Sequence, residues 1–212
     1  MAHYFTNEKN LKSNIIKHKV IIKNESFEFY TDNGVFSKKG LDFGTRTLLE
    51  NIPLNEIKGS VLDFGCGYGP VGIFIKKMTN ADVDMVDINE RSIELTLKNA
   101  SLNKVNVNAY ISDIYSNIPK KYDYIISNPP IRVGKEILYK ILFEAKSHLN
   151  KFGSLYIVIN KDQGAKSVIK DLEKEYEVKV VAKNKGFFII LAQNNWLIYR
   201  FILKLYIGGM YL

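Results

Sequence analysis

Two short stretches carry residue types that do chemistry. The first runs Val61-Leu-Asp63-Phe-Gly65-Cys66-Gly67-Tyr68-Gly69-Pro-Val-Gly72. Glycines at alternate positions permit positive φ and let a backbone approach a bound molecule closely. A helix that follows, with Pro70 in its first turn, aims free N–H groups at the same place. Two readings fit. Gly67-x-Gly69-x-x-Gly72, with Asp87 at 20 residues beyond Gly67, matches a dinucleotide-binding turn and its ribose acid. Asp63-x-Gly65-x-Gly67-x-Gly69 instead sets an acid at a strand end ahead of three glycines, an arrangement suited to a cationic ligand.

The second stretch is Asn128-Pro129-Pro130-Ile131. The two prolines fix φ and remove two N–H donors. Pro129 also pushes Asn128 toward an extended conformation. The product is a stiff loop presenting two acceptors, the Asn128 side-chain oxygen and the Pro129 carbonyl. An amine conjugated to a planar ring has little nucleophilic lone pair. Two acceptors on its N–H groups draw the nitrogen toward tetrahedral geometry, and the proton can leave after the nitrogen has reacted. Elsewhere the same tetrapeptide would be an inert rigid turn, so its position in the fold decides.

The surrounding elements place both stretches. A hairpin is expected over 19–30, around Asn24-Glu25, and a helix over 42–52 with Leu48, Leu49 and Ile52 inward. Strands then alternate with helices: strands at 61–64, 82–86, 105–111, 122–127 and 155–159, helices at 70–78, 89–102, 135–149 and 165–175. In 89–102, Asn89 is the cap and Ile93, Leu97 and Ala100 form one face. In 135–149 the apolar side is Ile137, Leu138, Ile141, Leu142 and Ala145. Strands at 177–182 and 187–191 close the chain around Asn184-Lys185-Gly186. This order defines an α/β fold with an N-terminal β-hairpin: a seven-stranded, mostly parallel sheet with one antiparallel strand and helices on both faces. Ligands of such sheets bind beyond the carboxyl ends of the strands, where both stretches fall.

Bulk properties narrow the classes. The 212 residues are 46% hydrophobic and 25% charged, ordinary for one globular domain. The net charge of +8 suits a polyanionic partner. Cys66 stands alone and His3, His18 and His148 are scattered, so neither a disulfide framework nor a metal site is expected. The polar N-terminus is no secretory signal and no run of about 18 apolar residues exists, so no membrane attachment is expected. The apolar stretch 195–212, broken by Arg200 and Lys204, reads as an extension of unknown role beyond a domain over 1–194.

Asp63-x-Gly65-x-Gly67-x-Gly69 resembles the first motif of class I methyltransferases, a Rossmann-like family. The resemblance implies S-adenosyl-L-methionine as cofactor, held by Asp63, Gly65, Cys66, Gly67, Gly69, Asp87, Ile88, Asp113 and Asn128. There Asp63 would orient the cofactor's amino group, Asp87 take the ribose hydroxyls and Asp113 lie beside the adenine. Asn128-Pro129-Pro130-Ile131 resembles the catalytic signature of amino-group methyltransferases, with Ile131 where an aromatic normally stacks on the target base. Tyr68 and Phe36 are candidate substitutes for that ring.

The segment Gly34 to Arg46, with Val-Asp87-Ile88-Asn and Asn-Pro-Pro-Ile-Arg132, resembles the RsmC-like ribosomal RNA small-subunit guanine-N2 methyltransferases in their short, single-domain form. The likeness runs over about 3–192. It implies a cytoplasmic enzyme, monomer or homodimer, acting on ribosomal RNA or the small ribosomal subunit. Phe36, Lys38, Arg46 and Arg132 would contact the substrate. Lys39 is a further phosphate candidate, and Asp42 would lie near the cofactor. Longer members carry an added N-terminal domain, for which 212 residues leave no room. Three other readings stay open on the residues: an N-methyltransferase for adenine or a protein glutamine, an NAD-dependent oxidoreductase, and a noncatalytic RNA-binding module.

Overall fold

The computed structural model describes residues 11–194, so the stretch 195–212 lies outside the described residues. The chain opens with a hairpin, β1 (Ile16–Ile22) and β2 (Glu25–Thr31). Its two-residue turn is Lys23-Asn24, both at positive φ, one residue earlier than the Asn24-Glu25 of the sequence reading. Two left-handed residues match the right-handed twist of the strands they join. Helix α1 (Phe43–Asn51) follows, capped by Asp42, whose side chain accepts from the Thr45 N–H at 3.0 Å.

Strands and helices then alternate: β3 (Ser60–Phe64), α2 (Pro70–Met78), β4 (Asp82–Asp87), α3 (Glu90–Leu102), β5 (Asn108–Ile111), β6 (Tyr122–Ser127), α4 (Lys135–Glu144), β7 (Leu149–Asn160), α5 (Ala165–Leu172), β8 (Glu177–Asn184) and β9 (Phe187–Gln193). The sheet order is β5-β4-β3-β6-β7-β9-β8, seven strands, with β9 antiparallel to both its neighbours. The expected architecture therefore stands: a Rossmann-like α/β fold with an N-terminal hairpin. The order reverses between β3 and β6, which opens a crevice at their carboxyl ends.

Two differences from the sequence reading have physical causes. The helix expected over 135–149 tightens into a 3-10 turn, Ala145–His148, and Leu149 already belongs to β7. On α3, Leu97 is 47% exposed although it was expected inward. Ile93 and Ala100 are buried as expected, with Leu95, and that helix buries Ser92, Thr96 and Asn99 beside them. The Asn99 amide donates to the carbonyls of Tyr30 and Tyr68, and its oxygen accepts from the Tyr30 N–H. Asn103 pairs in the same way with both backbone groups of Glu28. These two amides stand in for a neighbouring strand and satisfy the edge of β2. The hairpin is thereby fixed beside the glycine loop, and Phe27 and Phe29 bury their rings in the core under it.

Among the described residues no helix is long and apolar enough to cross a membrane, and no cluster of His, Cys, Asp or Glu could hold a metal ion.

Candidate active site

A cavity of about 310 Å³ occupies the crevice. One half of it is the glycine loop. β3 ends at Phe64, and Gly65, Gly67 and Gly69 all take positive φ. At Gly65 and Gly67 an added Cβ would meet no atom within 4 Å, so the missing side chains are open cavity. Gly69 does not face the cavity. Its Cβ would lie 2.9 Å from Ile73 Cδ1, so the missing side chain makes room for packing. The Thr96 hydroxyl donates to the Gly67 carbonyl at 3.0 Å and holds the loop from beneath. Cys66 lines the cavity with a buried thiol, which burial pushes well above its usual pKa.

The acids divide their tasks. Asp63 is fully buried and accepts the Gly72 N–H at 2.8 Å. Burial raises its pKa to about 7, against the pull of the Gly72 bond and with a push from the Asp87 charge. Asp87 accepts the N–H groups of Gly67 (2.9 Å) and Asn89 (2.8 Å), which ties the glycine loop to the start of α3. Burial raises its pKa while those backbone donors hold it down. A carboxylate has about four acceptor sites, so a clamped Asp87 keeps capacity for a ribose hydroxyl. Ile88 and the exposed Asp113 line the same side of the cavity, with Ser112 and Ile114 between the strand ends.

The other half is Asn128-Pro129-Pro130, which follows β6. The Ser127 hydroxyl donates to the Phe64 carbonyl at 2.7 Å and locks the end of β6 to that of β3. The Asn128 amide nitrogen donates to Thr45 Oγ1 at 2.9 Å and lies 3.4 Å from Asp42 Oδ1. Asp42 only accepts, so the amide must turn its nitrogen to α1 and leave Oδ1 for the cavity. The N-terminus of α1 thus sets the orientation of the Asn128 amide. Thr45 was not among the expected site residues. Its signal was a hydroxyl one turn beyond a capping acid, which by itself reads as a helix start.

Ile131 is displaced from its expected role. It begins a 3-10 turn, Ile131–Val133, and packs partly buried against the core cluster around Leu138 and Leu142. The cavity wall is built instead by Val133, Ile137 and Ile141. Phe36 lines the mouth and is 41% exposed. Lys38 is exposed away from the cavity lining, its ammonium 3.4 Å from Asn33 Oδ1. Arg46 also leaves the site: its guanidinium donates to the Ile21 carbonyl and pairs with Glu50 on the hairpin side of α1. The Arg132 side chain lies outside the described residues.

One buried polar atom finds no partner within the described protein. The Tyr68 hydroxyl sits in the cavity wall, in the field of the Asp42 carboxylate, and makes no hydrogen bond. Such a group costs about 1–3 kcal/mol unless an occupant satisfies it. The glycine cradle, the acids and this orphan hydroxyl fit S-adenosylmethionine, an amino-acid cation joined to a ribose. Crevice, cradle and braced Asn-Pro-Pro together define a class I S-adenosylmethionine-dependent methyltransferase.

Comparison with known proteins agrees. The family described as the methyltransferase small domain matches residues 26–191, and the chain belongs to that family. A Bacillus subtilis (strain 168) protein named YbxB, itself uncharacterized, is 42% identical over 196 residues, covering 90% of this chain and 98% of that protein. Ribosomal RNA small subunit methyltransferase C of Haemophilus influenzae (strain Rd) is 41% identical over 175 residues, 80% of this chain. The chain spans 52% of that relative's length. Among solved structures, the Thermus thermophilus 16S rRNA N2 G1207 methyltransferase (RsmC), in complex with AdoMet and guanosine, superposes with a TM-score of 0.77 at 24% identity. That match covers 86% of this chain and 51% of the other. The dinucleotide reading of Gly67-x-Gly69-x-x-Gly72 gives way to the methyltransferase one.

Proposed function

We propose that this methyltransferase acts on the exocyclic N2 amino group of a guanine in small-subunit ribosomal RNA, in the cytoplasm. The observation that carries the amine assignment is the braced Asn128, whose oxygen is committed to the cavity by Thr45 and Asp42. The names of the longer relatives support guanine and ribosomal RNA. The net charge of +8 supports a polyanion.

When bound, S-adenosylmethionine supplies an electrophilic methyl on a sulfonium. The protein's task is to present the amine in line with it. Asn128 Oδ1 and the Pro129 carbonyl each accept one N–H of the amino group. This holds the nitrogen in place and biases it toward tetrahedral geometry. Positioning of this kind contributes several kcal/mol, up to about 7–11 in ideal cases. So held, the nitrogen would take the methyl from the bound sulfonium, which would leave as a neutral thioether, and the extra proton would pass to solvent. Val133, Ile137 and Pro130 give the base an apolar wall in place of an aromatic stack. A base in a helix or stacked loop must rotate out to reach this depth.

Tritiated methyl transfer to ribosomal RNA, 30S subunits and total protein, followed by nucleoside analysis, tests the reading. The expected product is N2-methylguanosine in small-subunit RNA. Label in N6-methyladenosine, or only in protein, overturns it.

A further inference from the structure

Lys38 and Arg46 point away from the cavity, yet the fold brings another basic group to it. β7 ends at Asn160, which pairs with Phe187 at the start of β9, and Phe187 pairs with Asn184 at the end of β8. The turn Lys185-Gly186 therefore lies on the same sheet edge as Asn128, two strands beyond β6. The turn joins β9 to β8, so across the sheet that is about 10–14 Å at the usual strand spacing. Lys161, just past the end of β7, packs its side chain on Gly186 and donates its backbone N–H to the Gly186 carbonyl at 2.7 Å.

This edge is tied to the catalytic brace. Phe43, the first residue of α1, sits 5.6 Å from the Phe187 ring. The Lys185 ammonium stands 5.3 Å from the centre of the Phe43 ring, and that of Lys183 stands 4.9 Å from the centre of the Phe188 ring. Lys161, Lys183 and Lys185 are exposed, and none has an ion-pair partner among the described residues. Asp162 is the one acid in the segments 160–164 and 183–188. Lys58, Lys121 and Lys151, at the amino ends of the strands, likewise have no ion-pair partner among the described residues, so position beside the crevice is what distinguishes the three.

We propose that Lys161, Lys183 and Lys185, with the exposed ring of Phe43, form the docking ridge for the RNA strand flanking the target base. This rests on the reading of the substrate as RNA. Unpaired ammonium groups on an ordered turn contact phosphates without selecting sequence, and the aromatic ring offers a face to an unstacked base. Because α1 carries both Phe43 and the Asp42–Thr45 brace, docking and amine orientation share one rigid element.

The test uses the full chain and unmodified small-subunit ribosomal RNA transcribed in vitro. The ridge variant is Lys161→Ala/Lys183→Ala/Lys185→Ala. The control, Lys58→Ala/Lys121→Ala/Lys151→Ala, removes equal charge from the opposite edge of the same sheet. The ridge variant should raise the KM for RNA at least about tenfold and flatten the slope of log Kd against log salt by about 2, the loss of three single-strand phosphate contacts. The control should change KM less than about twofold, and both should bind S-adenosylmethionine like the parent. Ridge and control variants behaving alike, while the parent methylates RNA, overturns the ridge alone. A parent that labels protein and no RNA overturns the substrate reading, and the ridge with it.

Discussion

The two halves of the cavity are built in opposite ways. The cradle of the cofactor half comes from one contiguous run, Asp63 to Gly72, closed by backbone bonds to Asp63 and Asp87 from residues at most 20 positions away. The acceptor half is assembled at long range: Asn128 is oriented by Thr45 and Asp42, 83 and 86 positions upstream. The first half binds through a preset backbone. In the function proposed, the second acts through the aim of one side chain. Binding and catalysis should therefore respond to different substitutions.

The sharpest break between the halves is Asn128→Ala. Loss of one preorganised transition-state contact lowers turnover by about 10²–10³. Single-turnover transfer to 30S subunits reads it. Thr45→Val removes the brace but keeps Asn128. Turnover should fall about tenfold, through lost orientation rather than lost chemistry, with cofactor affinity little changed.

The cofactor half should show its own signature in pH. Burial raises the Asp63 carboxyl from the usual carboxylate range to about 7 in the free protein. The folded state therefore binds the proton more tightly than the unfolded chain. Stability from this group is full below the unfolded pKa and is lost as pH rises through about 7. A cationic ligand favours the carboxylate. Affinity for S-adenosylmethionine should thus weaken about tenfold from pH 8 to pH 6. Asp63→Asn should flatten that profile, and calorimetry across the range checks it. The smallest effect is expected at Tyr68→Phe. Deleting the orphan hydroxyl should stabilise the free protein by about 1 kcal/mol and weaken cofactor binding only a few fold. A lowered Tm without cofactor would mean the hydroxyl is satisfied inside the protein.

The same contrast explains what the sequence could disclose. The glycine loop, Asp63, Asp87 and the position of Asn128 after β6 were legible because local geometry decides them. The Thr45 brace was not, because a hydroxyl beside a helix cap has a sufficient local explanation. Ile131 and Arg46 lie away from the cavity lining, which adjacency in sequence did not disclose. Residues next to a motif in sequence turned to the core or to the hairpin, while Val133 and Ile137 arrived through a 3-10 turn and a helix face. Leu97 was expected inward because periodicity assumes an apolar buried face. α3 gives part of that face to Thr96, Asn99 and Asn103, which bond the loop and the hairpin.

The claim that the halves are separable meets its most direct test in one titration: S-adenosylmethionine into Asn128→Ala, on the preparation whose turnover has been lost. The account predicts a Kd within about threefold of the parent, since the cradle from Asp63 to Gly72 and the Asp87 clamp do not involve Asn128. Affinity that falls in step with turnover would make Asn128 a structural support of the cofactor pocket and contradict the account.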